Sequence, residues 1–140
     1  MEFDAKQLAA AAIKARAMSY SPYSRFAVGA ALLAESGKLY LGCNIENAAY
    51  SVTNCAERTA LFKAVSEGER QFAAIAVAGG PAGVQGGLLP LCTPCGVCRQ
   101  ALFEFGGGSL PVVLAQSEAE YQIKTLAQLL PMGFGPADLA

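Results

Sequence analysis

Hydrophobic and polar positions follow two different periods along the chain, and each period predicts a type of secondary structure. Near the N-terminus, small apolar residues recur at helical spacing from Leu8 to Met18, and Asp4 with Gln7 matches the capping box that begins a helix. Later segments contain apolar runs of strand length bounded by turn residues. The predicted elements are helices at 4–18, 54–67, 93–105 and 121–130 and strands at 26–33, 39–43, 71–78 and 110–115.

The order of these elements predicts the fold class. Helices connect the later strands, so the sheet should be mixed and covered by helices on both faces, which is an α/β fold of the three-layer α/β/α sandwich type. With 140 residues, we expect residues 1–140 to form a single domain. The glycine-rich segment 79–87 lacks the Gly-Lys-Ser/Thr ending of a phosphate loop, and we expect it to be a mobile connection.

Composition narrows the classes of partner. Hydrophobic residues make up 54% of the chain and charged residues 15%, against typical values of about 45–50% and about 25%, so we expect oligomerisation to bury the excess apolar surface. The net charge of -1 and the lack of a basic run argue against nucleic-acid binding. No apolar run reaches the roughly 20 residues of a membrane span, and the acidic N-terminus is unlike a signal peptide. We therefore expect a cytoplasmic protein without membrane contact.

The cysteines carry the candidate chemistry. The chain has 5 cysteines and no histidine, which excludes histidine-ligated zinc sites and any Ser-His or Cys-His nucleophile. Cys95 and Cys98 lie three apart at a predicted helix start, where they can share one metal ion, and Cys55 lies at another helix start. Three ligands leave a tetrahedral zinc with an open position, and Glu57, two residues after Cys55, could handle the protons of a bound water.

Two other interpretations remain open at this point. Glu57 could complete a capping box that begins at Asn54, which is a purely structural role. Cys92 could join Cys55, Cys95 and Cys98 in a closed, structural four-cysteine zinc site. A thioredoxin-like redox protein is disfavoured because the Cys-x-x-Cys spacing does not follow the first strand, and Cys43 is most simply a small buried hydrophobe.

Several motifs resemble a known enzyme family. Cys55-Ala56-Glu57 followed by Pro94-Cys95-Gly96-Val97-Cys98 is similar to the zinc-dependent nucleoside deaminases, in which the glutamate is not a zinc ligand. The segments at 20–26, 42–50 and 130–136 resemble the small cytidine deaminases in particular. The resemblance covers most of the chain in the family's order. It implies one Zn2+ per chain and a fifth strand, for which we consider 138–140 or part of the glycine-rich segment.

The resemblance also implies a reaction and a set of site residues. The reaction is the hydrolytic deamination of cytidine, and of deoxycytidine, to uridine or deoxyuridine and ammonia in pyrimidine salvage; zinc hydroxide attacks C4 while Glu57 shuttles protons. A related deaminase of a cytosine-containing antibiotic nucleoside is the alternative. The implied contacts are Phe26 near the pyrimidine, Asn44 and Glu46 at the ribose, Ala56 at the ring carbonyl, Tyr50 at the pocket or a subunit contact, and Arg58 beside the thiolates.

The apolar tail predicts an assembly. Residues 129–135 are apolar and interrupted by turn residues, so they cannot form a long helix that buries its own surface. The resemblance implies a homotetramer in which Phe134 reaches the active site of a neighbouring chain, and active sites are shared between subunits. The alternative is that Phe134 packs into the core of its own chain.

Overall fold

A mixed sheet of five strands, in the order β2-β1-β3-β4-β5, forms the centre of the protein. The computed structural model describes residues 2–84 and 86–140, so Gln85 of the glycine-rich segment and Met1 lie outside the described residues. β1 pairs antiparallel with β2 and β3, β4 runs parallel to β3, and β5 runs antiparallel to β4. The elements are α1 (Ala5–Ala15), β1 (Phe26–Ala34), β2 (Leu39–Cys43), α2 (Ala56–Ser66), β3 (Phe72–Pro81), α3 (Gly96–Gly106), β4 (Pro111–Ala115), β5 (Tyr121–Thr125) and α4 (Leu126–Leu129), with 3-10 turns at Arg16–Met18, Tyr50–Val52 and Pro136–Leu139.

The helices cover both faces of the sheet, which confirms the predicted three-layer α/β/α arrangement. Alternate residues of β3 supply the two faces: Ile75 and Val77 join the core under α2 and α3, whereas Ala74 and Ala76 face α1. The α1 face is built from small residues, so the helix lies very close to the sheet. Gly29 shows how close, because a Cβ atom there would lie 2.1 Å from the Ala12 carbonyl oxygen.

The helix starts differ from the prediction in an informative way. Asp4 caps α1 as predicted, since its carboxylate accepts a hydrogen bond from the Gln7 amide at 3.1 Å. The second and third helices were expected to begin at Asn54 and Thr93, but both begin after a cysteine cap, Cys55 and Cys95. Asn54 is held in extended backbone by paired hydrogen bonds with Ile45, so the helix can start only beyond it. The capping-box interpretation of Glu57 is therefore wrong.

Two further predictions about secondary structure are wrong. The segment 121–130 was expected to be one helix, but its first half is β5, the fifth strand, and only Leu126–Leu129 is helical. Pairing with β4 decides this, because the polar-apolar alternation around Ile123 suits an edge strand as well as a helix. The suggested fifth strand at 138–140 lies largely in a 3-10 turn instead. β3 also extends through Gly79 and Gly80, the first part of the expected mobile connection.

The single chain leaves large apolar side chains on its surface. Met132 is fully exposed, Tyr50 is 74% exposed and Phe134 is 58% exposed. Within the described residues, no helix is long and apolar enough to cross a membrane. Apolar surface of this kind marks candidate contact regions.

Candidate metal centre and active site

Three thiols meet where the starts of two helices come together. Cys55 is the N-cap of α2, Cys95 is the N-cap of α3, and Cys98 lies in the first turn of α3. Their sulfur atoms all lie within 4.8 Å of one another, and the Cys55 and Cys95 sulfurs are 3.8 Å apart. Both helix N-termini direct positive dipole ends and free amides toward this point, which favours thiolates over thiols.

The geometry of the sulfurs fits a zinc ion. Tetrahedral zinc with Zn–S bonds of about 2.3 Å separates its sulfur ligands by about 3.8 Å, which is the observed Cys55–Cys95 separation. Among residues 2–84 and 86–140, the group of histidine, cysteine or acidic side chains close enough to share an ion contains these three cysteines alone. A three-thiolate set leaves the fourth position open, as catalytic zinc requires.

Cys92 and Cys43 lie outside the cluster. Cys92 packs against Gly79, where an added Cβ would come within 2.7 Å of its sulfur, and burial raises the pKa of Cys92 to about 11. Its sulfur is not among the three that lie within 4.8 Å of one another. The four-cysteine structural site is therefore not formed in the described structure. Cys43 is partly buried at the end of β2, where burial raises its pKa, in agreement with the predicted apolar role.

Hydrogen bonds set the charge on the sulfurs. A hydrogen bond from the Cys98 thiol lowers the pKa of Cys55 to about 5, and the same contact raises the pKa of Cys98. The Arg58 Nη2 atom donates to the Cys55 sulfur at 3.3 Å. Burial lowers the pKa of Arg58, but its hydrogen bonds to Cys55 and Cys98 raise it overall, so the guanidinium stays charged beside the thiolates. Arg58 thus lies where a cation can offset the negative charge of the cluster.

Glu57 is a buried carboxyl group next to the thiols. It is the second residue of α2, and its side chain is in contact with Cys98. Its exposure is 4%, and burial raises its pKa to about 7. A carboxyl group with a pKa near neutrality can both accept and donate a proton, which is the property of a general acid-base group.

Two apolar residues lie on the face of the sheet that α2 and α3 cover. Phe26 begins β1, and its ring lies against Gly79, where an added Cβ would be 2.9 Å from the Cε2 atom. Ala56 is fully buried as the first residue of α2, so its amide has no partner within the helix. The ring of Phe26 and the amide of Ala56 are thus available on the side of the sheet that carries the thiols.

Asn44 has a structural function that its position in the sequence did not reveal. Where β2 ends, the Asn44 side chain continues the pairing with β1: its Oδ1 atom accepts from the Val28 amide at 2.9 Å, and its Nδ2 atom donates to the Phe26 carbonyl at 2.8 Å. The Ser19 hydroxyl also donates to Oδ1. One hydrogen of the Nδ2 group remains for a ligand. Asn44 therefore holds the start of β1 and still has one donor to offer.

Glu46 organises the loop in front of β1. Its carboxylate accepts hydrogen bonds from the amides of Tyr23 at 2.9 Å and Ser24 at 3.1 Å, and from the Ser24 hydroxyl. The Ser24 hydroxyl bond, with these amides, lowers the pKa of Glu46. The ring of Tyr50 meets Tyr23 edge to face with centroids 5.8 Å apart. A hollow of about 380 Å³ lies between these side chains and Thr53.

Phe134 is hydrogen-bonded to α3, the helix that carries Cys95 and Cys98. The Gln100 side chain of α3 donates to the Phe134 carbonyl at 2.6 Å, and Gly133 and Gly135 on either side pack against Phe103. The side chain itself is 58% exposed. The interpretation that Phe134 packs into the core of its own chain is therefore wrong.

Comparisons with known proteins agree with this arrangement. A family model described as the cytidine and deoxycytidylate deaminase zinc-binding region matches residues 2–114. The chain is 53% identical over 137 residues to a cytidine deaminase of Sporosarcina psychrophila, covering 98% of this chain and 96% of the relative. It is 38% identical over 138 residues to a Mycobacterium tuberculosis cytidine deaminase, covering 99% and 95%. The crystal structure of the Burkholderia pseudomallei cytidine deaminase superposes with a TM-score of 0.83 at 45% identity, covering 94% of this chain and 100% of that one.

Proposed function

The chain belongs to the cytidine and deoxycytidylate deaminase family, and on this basis we propose that it is a zinc-dependent cytidine deaminase. The reaction is the hydrolysis of cytidine to uridine and ammonia, with deoxycytidine as a second substrate. The observation that carries the proposal is the buried Glu57 carboxyl, with its pKa near neutrality, directly beside three thiols spaced for zinc. That combination provides a metal site and a proton carrier at one point.

Cys55, Cys95 and Cys98 would hold one zinc ion per chain. When bound, zinc supplies a Lewis acid that makes water nucleophilic at neutral pH. Three thiolates carry more negative charge than zinc carries positive charge, so they would make the metal a weaker Lewis acid. The hydrogen bond from Arg58 to Cys55 withdraws part of that charge, which supports a tuning role for Arg58.

Glu57 carries the protons of the reaction. It takes a proton from the attacking water and delivers it to N3 of the pyrimidine as the nucleophile adds at C4. The deprotonated carboxylate then takes the proton of the new C4 hydroxyl and gives it to the amine, so that the C4–N bond breaks, ammonia departs and the C4 carbonyl of uridine forms. Burial supports this role, because a carboxyl group with a pKa of about 7 exchanges protons in both directions near neutral pH.

Four residues bind the nucleoside. The Phe26 ring packs against the pyrimidine, and the Ala56 amide donates to the ring carbonyl. The free hydrogen of Asn44 Nδ2 and the carboxylate of Glu46 bind the ribose hydroxyls. A carboxylate accepts hydrogen bonds from hydroxyls but repels a phosphate, so Glu46 favours a free nucleoside over a nucleotide.

We propose that the active enzyme is a homotetramer with dihedral symmetry. The exposed Phe134 side chain closes the nucleoside site of a neighbouring chain, and the exposed Tyr50 lies at the pocket or at that contact. Residues 1–140 act as one catalytic domain within each subunit. Unoxidised thiolate ligands suit a reducing compartment, so we place the enzyme in the cytoplasm.

One assay tests the proposed function. Purified protein is incubated with cytidine, the loss of absorbance of the aminopyrimidine is followed, and the zinc content of the same sample is measured. We expect turnover with one zinc per chain. If the protein holds one zinc per chain and leaves cytidine, deoxycytidine and cytosine-containing antibiotic nucleosides unchanged, the proposed function is wrong.

A further inference from the structure

The proposed active site has two parts with separate supports. The metal part is built by the starts of α2 and α3. The nucleoside part is built by the start of β1 and by the segment 44–46, which is bound to the loop before β1. Arg16 lies beneath this second part. It follows α1 directly, and it is 8% exposed.

The Arg16 guanidinium joins three segments through their carbonyl groups. Its Nε atom donates to the Ala27 carbonyl of β1 at 2.9 Å, and its Nη2 atom donates to the Pro81 carbonyl at the end of β3 at 3.1 Å. A longer contact of 3.4 Å connects Nη1 with the Val84 carbonyl. Phe26 and Pro81 are register partners in the sheet, so Arg16 fastens the two strand ends at the level of the Phe26 ring.

The Phe26 carbonyl, next to that of Ala27, is held by a second contact. Asn44 Nδ2 donates to the Phe26 carbonyl, while Arg16 Nε donates to the Ala27 carbonyl that follows it. Ser19, three residues after Arg16, donates its hydroxyl hydrogen to Asn44 Oδ1. The start of β1 is therefore held at two consecutive carbonyls. Arg16 binds the Ala27 carbonyl directly, and Ser19 holds the Asn44 side chain that binds the Phe26 carbonyl.

Burying Arg16 costs more free energy than burying an apolar side chain at the same place would. Within the described chain, no carboxylate lies within salt-bridge distance of it, and burial lowers its pKa. A buried charge without a counter-ion is costly, whereas an apolar side chain could fill the same space. The carbonyls that it binds, together with the C-terminal end of α1, compensate the charge only while the guanidinium stays in this place. Gly80 makes room for it, because a Cβ there would lie 3.3 Å from Nη2.

We propose that Arg16 is a positioning residue for the nucleoside part of the active site. It acts through the backbone of Ala27 and Pro81, which fixes the Phe26 ring, and it does not touch the substrate or the metal. The inference rests on the proposed function, since it assigns Phe26 to the nucleoside. It predicts that loss of the guanidinium weakens nucleoside binding and leaves the chemical step intact.

The test compares Arg16→Gln and Arg16→Lys with the wild-type enzyme. We expect KM for cytidine to rise about tenfold in Arg16→Gln, because a displaced Phe26 ring loses contact with the pyrimidine, while kcat and the zinc content stay within about twofold of wild type. Competitive inhibition by uridine should weaken by the same factor. Arg16→Lys keeps a cation that can reach one carbonyl, so its KM should lie between those of wild type and Arg16→Gln. This variant also tests the rise in KM if Arg16→Gln does not fold.

Arg70→Gln is the matched control. Arg70 also donates to backbone carbonyls, those of Val65 and Glu69, both at 2.8 Å, but it lies at the far end of α2. We expect its KM to equal that of wild type. An unchanged KM in folded Arg16→Lys, or a fall in kcat with KM unchanged, would overturn the positioning role. Failure of the wild-type enzyme to deaminate cytidine would instead overturn the proposed function.

Discussion

At the scale of single residues, Glu57 has the largest expected effect. One buried carboxyl group has to serve the nucleophile, N3 and the leaving amine, because Glu57 is the one acidic side chain that is buried among the described residues. Burial disfavours the charged form of this carboxyl group, and the hydrogen bond with Cys98 and the charge of Arg58 offset that only in part. Removing the carboxyl while keeping its shape therefore separates its chemical function from its packing.

We predict that Glu57→Gln retains zinc and nucleoside binding while turnover falls by more than the roughly 10²–10⁴-fold typical of one acid-base group. The excess is expected because one residue serves several proton transfers. The measurements are kcat for cytidine, the metal content and the dissociation constant of uridine. Near-normal turnover in a zinc-loaded Glu57→Gln protein would contradict the mechanism.

The cysteines can be separated by the same kind of experiment. We predict that Cys55→Ala, Cys95→Ala and Cys98→Ala each lose zinc, because each removes one of the clustered sulfurs. Cys92→Ala and Cys43→Ala are the matched controls, and both should keep one zinc per chain. Metal analysis of the purified variants decides the matter. A zinc-free Cys92→Ala protein would bring back the four-cysteine site.

At the scale of the elements, the sequence pattern predicted the features that depend on residues close together in the chain. The apolar runs of β1 and β2 gave those strands to within one residue, and the Cys55-Ala56-Glu57 and Cys95/Cys98 spacings indicated the metal site. β5 was missed because its polar-apolar pattern also suits a helix, and pairing with β4 decides its conformation. Arg16 was missed because its partners are backbone carbonyls at 27 and 81, which carry no sequence signal.

The close contact of α1 with the sheet gives a stability prediction. We expect Gly29→Ala to lower the free energy of unfolding by about 3 kcal/mol, because the new Cβ would lie 2.1 Å from the Ala12 carbonyl and the helix must move away. Gly96→Ala is the control: the same atom there meets nothing within 4 Å, and alanine favours the helix that it begins. Urea unfolding measures both. Equal stability of the two variants would show that α1 moves aside without cost.

At the scale of the whole molecule, the exposed apolar residues require an account. In the single chain Met132 is fully exposed, Leu139 is 81% exposed and Phe134 is 58% exposed. All three belong to the C-terminal segment. Met132 also adopts a positive φ of 56°, an unfavourable conformation for a residue with a side chain. Since Gln100 fixes the backbone at Phe134, the segment is held in place while its side chains face outward. Contact with another chain would explain both features.

The last prediction tests whether that contact completes an active site. Glu57→Gln chains and Phe134→Ala chains should each form weakly active tetramers, since the first lacks the proton carrier and the second lacks the neighbour's aromatic ring. If Phe134 serves the adjacent chain, reversible dissociation and mixing in equal amounts should restore wild-type composition in about one quarter of the sites by random assortment. Light scattering verifies the tetramers, native mass spectrometry verifies mixing, and the cytidine assay measures the recovery. A control mixture of wild-type with Glu57→Gln chains should only dilute activity. A monomer in solution, or verified mixed tetramers without recovery, would show that each chain completes its own site, because sites confined to one chain gain nothing from an intact neighbour.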